Sequence, residues 1–377
     1  LQFFKIVGLA LFVSACSVTP PKTGASFTTT PDSLTPHIVV KWDARLTKPK
    51  SFGAAAGEFA APGHSKGTDE LVVGISTGEL IKFQASSGQE IWRTRLKSPI
   101  STRPLIARNT VFVGTFEGEF LAIDLFHGQV AWTKQIGSTI ESTAVYSEGR
   151  VLVKDSSDIL RAFDAATGDE LWRYQRTSPE YFVMQSSGGI AVADGDVFVG
   201  FSDGHLVSLQ LETGELLWAT DLSAGNQALM DVNQAPIVHG DTVIASSYAS
   251  GVYSIDRLSG EILWRNPLSN VSDLTEHNGF LYAALAGGRV VSLDADTGKG
   301  VWGFRLAKSN SATGVLAYGP YLLVTSDGPI YILDRGTGYP HQIIRGWSRV
   351  SSDLTLGAER IYALTDLGRL TTFQLGW

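Results

Sequence analysis

Six times in this chain a glycine is followed four residues later by a tryptophan: Gly88 and Trp92, Gly128 and Trp132, Gly168 and Trp172, Gly214 and Trp218, Gly260 and Trp264, Gly298 and Trp302. A seventh glycine turn, Thr337-Gly338, has Gln342 where the tryptophan is due. Ahead of each glycine lies a second recurrent element: Gly78-Glu79-Leu80, Gly118-Glu119-Phe120, Asp158-Ile159-Leu160, Gly204-His205-Leu206, Gly251-Val252-Tyr253, Gly288-Arg289-Val290 and Gly328-Pro329-Ile330, with an eighth copy at Gly368-Arg369-Leu370. Successive copies are 40, 40, 46, 47, 37, 40 and 40 residues apart. Self-similarity on such a period restricts the chain to a repeat architecture, whatever its 377 residues would otherwise suggest about domain number.

Within one unit the segments are short and alternate. Val111-Phe112-Val113 is followed by a turn at Glu117-Gly118, then by Phe120 to Asp124, a turn at His127-Gly128, and Val130-Ala131-Trp132. Period-two alternation broken by glycine turns predicts antiparallel strands joined as hairpins. With Leu105-Ile106 ahead, each unit holds four strands. Four-stranded sheets repeating every ~40–45 residues predict an all-β, eight-bladed β-propeller. The eighth copy supplies three strands, and the segment His37 to Leu46 is an isolated strand with Trp42 in the tryptophan position and no hairpin before it. Its pairing with the last three strands completes the last blade, closes the ring and removes an exposed edge. The propeller is therefore expected over 37–377, at about 43 residues per blade.

The segment before the propeller reads as an address. Residues 1–15 carry one positive charge, Lys5, and an apolar run from Ile6 to Val13, the composition of an export signal. The ending Val13-Ser14-Ala15-Cys16 resembles the bacterial lipobox, which implies cleavage before Cys16 and lipidation of its thiol; with Ser17 next, the resemblance implies the outer membrane. Cys16 is the only cysteine, so the chain has no intramolecular disulfide, and an odd thiol in an exported protein calls for such an explanation. The other reading is an ordinary signal with an incidental cysteine. Residues 16–36, with Pro20, Pro21, Pro31 and Pro36 among Thr and Ser, form a flexible tether with a reach of about 25 Å. A net charge of −7 disfavours a nucleic-acid surface, so no nucleic-acid partner is expected.

Ala162-Phe163-Asp164-Ala165-Ala166-Thr167-Gly168-Asp169-Glu170-Leu171-Trp172 matches in full the A-x-D-x-x-T-G-x-x-x-W motif of the quinoprotein-like propeller repeat, and Ala122-Ile123-Asp124 and Asp294 to Gly298 match in part. The resemblance implies that Trp42, Trp92, Trp132, Trp172, Trp218, Trp264 and Trp302 are structural, lodged between blades. It also raises an enzymatic alternative, since quinoprotein dehydrogenases share the repeat. Those enzymes are larger and hold calcium and a quinone at the ring centre, usually beside a cysteine pair, and this chain has no cysteine after Cys16. Gly74-Ile75-Ser76-Thr77-Gly78 and Gly200-Phe201-Ser202-Asp203-Gly204 fit the nucleophile-elbow pattern, but that motif needs a strand, a sharp turn and a helix, whereas both copies fall in one hairpin turn of the repeat. Asp294-Ala295-Asp296 is only faintly a calcium loop and lacks the later glutamate. No catalytic residue, metal site or cofactor is expected.

The repeat is broken in one way that bears on function. From Trp92, Trp132 and Trp302 it is 19 residues to the next unit's second strand, but from Trp172 and Trp218 it is 25. The six extra residues fall within 173–189 and 219–235, at equivalent places in neighbouring repeats and so side by side on one face, where insertions tend to mark a binding face. The two methionines of the chain, Met184 and Met230, each follow their tryptophan by twelve residues, and flexible apolar side chains suit an adaptable protein contact. In the other reading these residues fold back as a loop core or merely cover the blade ends.

Lipobox, Thr/Pro tether and eight-bladed propeller together resemble the BamB family, propeller lipoproteins of the outer-membrane β-barrel assembly machinery. The resemblance implies a non-enzymatic scaffold on the periplasmic face of the outer membrane. Its inter-blade loops would bind the periplasmic domains of the insertase BamA, with unfolded outer-membrane proteins as further clients. The family's D-V-D-x-x-P stretch is matched by Asp231-Val232-Asn233-Gln234-Ala235-Pro236, with Asn233 replacing an aspartate. Its apolar pair followed by arginine aligns with Phe182, Met184 and Gln185, and the arginine is lost. The expected contact residues are Phe182, Met184, Gln185, Leu229, Met230, Asp231 and Asn233. The alternative is a quinone- or carbohydrate-binding propeller acting through its central funnel.

Overall fold

The structure, a computed structural model, describes residues 36–47, 60–65, 67–176, 188–226, 228–307, 309–345, 349–350 and 353–376. Among them are eight four-stranded antiparallel sheets. Seven are simple meanders: blade 1 (63–95), blade 2 (105–135), blade 3 (145–175), blade 4 (190–221), blade 5 (237–266), blade 6 (271–305) and blade 7 (312–344). Blade 8 joins Thr355–Leu356, Ile361–Leu364 and Arg369–Gly376 to the N-terminal strand His37–Arg45, which pairs from His37 opposite Gly376 to Arg45 opposite Arg369. The chain is an eight-bladed β-propeller closed by its own first strand.

The core is eight separate inter-blade layers. Each apolar cluster draws on two neighbouring blades: 1 and 2 around Leu80 and Val111, 2 and 3 around Phe120 and Val151, 3 and 4 around Leu160 and Val197, and so round to 8 and 1 around Leu364 and Leu71. The second and third strands of a blade are therefore covered on both faces, which is why Val151-Leu152-Val153 and its counterparts are continuous apolar runs. The outermost strand alternates between exposed and half-buried residues, as in Glu90–Arg95.

Every position of the repeat motif has a geometric role. The small residue faces the tryptophan across the last strand pair, Ala122 opposite Trp132, Ala162 opposite Trp172, Ser208 opposite Trp218. The aspartate folds the next turn by accepting backbone amides, Asp164 Oδ1 from Ala166 at 2.9 Å and Thr167 at 2.8 Å. The glycine stands against the tryptophan of the preceding blade. A β-carbon at Gly168 would lie 2.7 Å from Trp132 Cδ2, and φ there is 72°, a left-handed conformation that favours glycine. The indole then donates across the interface, Trp132 Nε1 to Ala165 O at 3.2 Å and Trp92 Nε1 to Leu125 O at 2.9 Å.

The one missing tryptophan follows from this geometry. Gln342 closes blade 7 against blade 8, whose last two strands come from opposite ends of the chain and share no hairpin turn. There is no turn glycine there for an indole to rest on. The space is filled instead by Ile332, which faces Gln342 where blades 2 to 6 have Ala or Ser, and by Tyr321, Ile344 and Phe373.

Replacing Trp132 by alanine is expected to cost about 3–5 kcal/mol in denaturant unfolding, whereas Gln342→Trp is expected to add nothing to the midpoint. The turn aspartates give a pH signature. Backbone donation from Thr167 holds the Asp164 carboxyl below its usual range, and Asp124 and Asp256 are lowered likewise by the amides of His127 and Ser259. A carboxylate lowered in the folded state stabilises fully above its unfolded pKa and loses that contribution as pH falls through the folded value. The midpoint difference between wild type and Asp164→Ala should therefore be greatest near neutrality and shrink as pH drops below about 4; a pH series of urea titrations checks it.

Candidate functional site

In each blade the four strands run up and down, so the turns after the first and third strands lie on one face and the turn after the second lies on the other, together with the connection to the next blade. The inserted segments belong to this second, loop face. An anchor recurs in its connections. Ile100, Ile140, Val232 and Val350 are buried and bridge to Thr115, Asp155, Ser247 and Thr365 in the next blade's turn, and the residue before each, Pro99, Thr139, Asp231 and Arg349, offers its carbonyl to that turn.

This register locates the insertion after blade 4. Leu96 and Ile136 precede their anchors by four residues, whereas the equivalent Leu222 precedes Val232 by ten. The nine residues 223–231 thus stand where the other connections have three, and the six extra residues lie among them, ahead of the anchor. Within this segment, Asn226 Nδ2 donates to Ser223 O at 2.9 Å and to Ser250 Oγ at 2.8 Å, and Ser250 Oγ donates back to Ser223 O at 2.6 Å. Ala249 N donates to Leu229 O at 3.0 Å and Ser247 Oγ to Met230 O at 2.9 Å. Hydrogen bonds to the turn of blade 5 therefore hold the segment ahead of its apolar pair, at Ser223 and Asn226, and at the carbonyls of the pair itself.

Burial divides the expected contact residues. Leu229, in a left-handed conformation at φ 55°, and Met230 are half-exposed. Asp231 is 1% exposed and Asn233 9%, with Asn233 Nδ2 directed at Val271 O. Asp231 and Asn233 flank the anchor and support the loop from beneath. Phe182, Met184 and Gln185 of the other insertion, and Cys16, lie outside the described residues.

Met230 rests on the turn 200–204 of blade 4. A β-carbon at Gly204 would lie 3.3 Å from its Cβ and Cγ. The turn is flanked by charge: Arg176 Nε lies 2.6 Å from Asp203 Oδ2, and His205 Nδ1 lies 3.3 Å from Asp203 Oδ1. Burial would raise the Asp203 carboxyl, but His205 and Arg176 hold it below its usual range, and Asp203 in turn raises His205. Reading by periodicity missed Arg176, although the signal was present: it stands four residues after its tryptophan, where other blades have Leu46, Leu96, Ile136, Leu222, Leu268 and Leu306.

At the ring axis the first strands of successive blades lie side by side. Arg103, entering blade 2, reaches past blade 1 to Asp353 of blade 8 at 3.3 Å. Asp273 of blade 6 accepts the amides of Val315 at 2.8 Å and Leu274 at 2.9 Å, and burial together with Asp353 pushes its carboxyl up to about 7. These carboxylates are already committed to Arg103 and to backbone, and no group of three His, Cys, Asp or Glu side chains with metal-binding geometry occurs among the described residues. The donor set does not fit a calcium-bound quinone. The two nucleophile-elbow matches are turns between strands, 75–78 and 201–204, and Asp294 is a turn former that accepts from Thr297.

Known proteins agree with this architecture. The crystal structure of BamB from Moraxella catarrhalis superposes with a TM-score of 0.77 at 20% identity, over 90% of this chain and 100% of that one. A quinohemoprotein alcohol dehydrogenase from Pseudomonas putida shares the fold at a TM-score of 0.73 and 15% identity, over 90% of this chain and 76% of its own. The outer membrane protein assembly factor BamB of Kangiella koreensis is 33% identical over 276 residues, covering 72% of this chain and 71% of that protein. Its counterpart in Shewanella oneidensis is 26% identical over 302 residues, and the match spans 78% of this chain and 65% of the relative's length. The family model described as outer membrane protein assembly factor BamB matches residues 40–135 and 76–304, more than half of the sequence, and the chain belongs to that family.

Proposed function

We propose that this protein is a non-enzymatic scaffold of outer-membrane protein assembly, held by a lipidated Cys16 at the periplasmic face of the outer membrane, and that its loop face docks the periplasmic domains of a BamA-type insertase. The observation that carries the reading is the loop 223–231: an insertion fixed by hydrogen bonds to the next blade that presents Leu229 and Met230 above a buried Asp231-Val232-Asn233 base. A preorganised apolar crest loses little conformational entropy on docking, which is where affinity is gained when the area is small. By the spacing of the repeat, Phe182, Met184 and Gln185 of the neighbouring insertion are the other proposed contact residues. Asp231 and Asn233 contribute by holding the crest. Unfolded outer-membrane proteins are the clients that such a scaffold would bring to the insertase.

The experiment is capture of purified insertase periplasmic domains by wild-type protein and by Met184→Asp with Met230→Asp. Charging the crest is expected to weaken capture at least tenfold while the circular dichroism melt is unchanged. Equal capture by both proteins removes these loops from the contact surface.

A further inference from the structure

Blade 3 departs from the repeat in several charged residues; Asp155 and Arg161 pair with each other, and three others converge on one turn of blade 4. At the end of the second strand, blades 1, 2 and 4 have Gly74, Gly114 and Gly200, and four residues later Gly78, Gly118 and Gly204; blade 3 has Lys154 and Asp158. Across all eight blades these are the only charged residues at the two positions, the others being Ser246, Ala284, Thr325 and Leu364, and Ser250, Gly288, Pro329 and Gly368. The third departure is Arg176, the one charged residue at the fourth place after the tryptophan.

Lys154 is fully buried, and its Nζ lies 2.8 Å from Asp158 Oδ1. The same nitrogen donates to Gly200 O at 2.9 Å and sits 4.9 Å from the centre of the Phe201 ring. Asp158, itself in a left-handed conformation at φ 58°, accepts the amide of Ser202 at 3.2 Å. Arg176 takes Asp203. Residues 200, 201, 202 and 203 are each held by a charged group of blade 3. On its other side the same turn carries the docking loop: Phe201 O accepts Val232 N at 3.2 Å, and Gly204 makes room for Met230.

We propose that Lys154, Asp158 and Arg176 form an ionic bracket that positions the turn 200–204 as the platform for the Met230 loop, and so sets partner affinity without touching the partner. These are positioning residues, and the inference rests on the docking reading above. Because this turn carries both Val232 and Met230, fixing it fixes the crest. The chemistry is directional: a buried ammonium covers a carbonyl, a carboxylate covers an amide, and neither backbone group can shift without losing a charged partner.

The test uses Lys154→Gly with Asp158→Gly, which installs what blades 1, 2 and 4 carry and leaves no lone buried charge, and separately Arg176→Leu, which installs the leucine found at this place in most other blades. Hydrogen exchange is read on the full chain, and affinity is measured for the purified insertase periplasmic domains. The bracket predicts at least tenfold faster exchange confined to 200–204 and 228–233 in the glycine pair, at least tenfold weaker binding, and a smaller change of the same kind in Arg176→Leu. Unchanged exchange in both variants overturns it, as does faster exchange spread over all blades. If wild-type protein fails to bind the insertase domains, the docking reading fails, and the exchange pattern alone still decides whether the bracket exists.

Discussion

The propeller depends on one contact made seven times: an indole on the outer strand of one blade resting on the turn glycine of the next. Trp42 lies against Gly88, Trp92 against Gly128, and the series continues to Trp302 against Gly338. A glycine is required because a β-carbon at any of these turns would fall within 3 Å of the ring. The contact is worth more than its area, since Trp42, Trp172, Trp218 and Trp302 also donate Nε1 to the carbonyl three residues before the glycine they cover. Blades 1 to 6 thus present a tryptophan on one flank and a glycine turn on the other, blade 7 the glycine turn alone and blade 8 the tryptophan alone, and nearest-neighbour pairing propagates round the ring. The N-terminal strand enters by the same rule. Its ladder with Arg369–Gly376 completes blade 8, and its Trp42 engages blade 1, so a single strand makes both closing interfaces.

That contact explains why so much of the fold was legible in the sequence. Glycine and tryptophan at fixed spacing are residues that other amino acids replace poorly at these sites, and their period gave the number of blades and the order of closure. What periodicity concealed is which neighbour a side chain meets. Trp132 and Gly128 sit in one motif yet touch different blades, Gly128 facing Trp92 and Trp132 facing Gly168. The alternation anticipated in all strands survives only in the outermost one, because the second and third strands have a blade on each side. Gln342 looked like a lapse in the repeat and is instead its consequence, for the blade it faces has no hairpin turn between its last two strands.

The site was legible in a different way, through departures from the repeat. A difference of six residues between tryptophan and next strand located the insertions. It could not rank the residues within them, since inserted chain has no counterpart in other blades from which burial can be inferred. Once the recurrent anchor is placed at Val232, the division follows: Asp231 and Asn233 belong to the base shared with Pro99 and Ser101, while Leu229 and Met230 belong to the lengthened segment ahead of it. Lys154, Asp158 and Arg176 are substitutions without any change of length, and spacing is blind to them. At the axis, Arg103, Asp273 and Asp353 come from blades 2, 6 and 8, a convergence that only ring closure creates.

Stability does not account for the charges of blade 3. Taking an ammonium and a carboxylate out of water costs several kcal/mol per ion, and a buried pair commonly does no better than neutral groups of matching shape. Blades 1, 2 and 4 build the equivalent strand end and turn with glycine at both places. What two glycines lack is reach. Lys154 and Asp158 extend from one blade to a carbonyl and an amide of the next, at the loop end of an apolar interface whose other end is held by the bond from Trp172 Nε1 to Leu211 O. Dispersion forces fill that layer but set no register along it, whereas a charged donor and a charged acceptor on neighbouring residues of one turn do. The bracket lies at the blade boundary from which the first insertion emerges and beside which the second is seated. The cost of burying two ions is thus incurred directly beneath the loop through which docking is proposed.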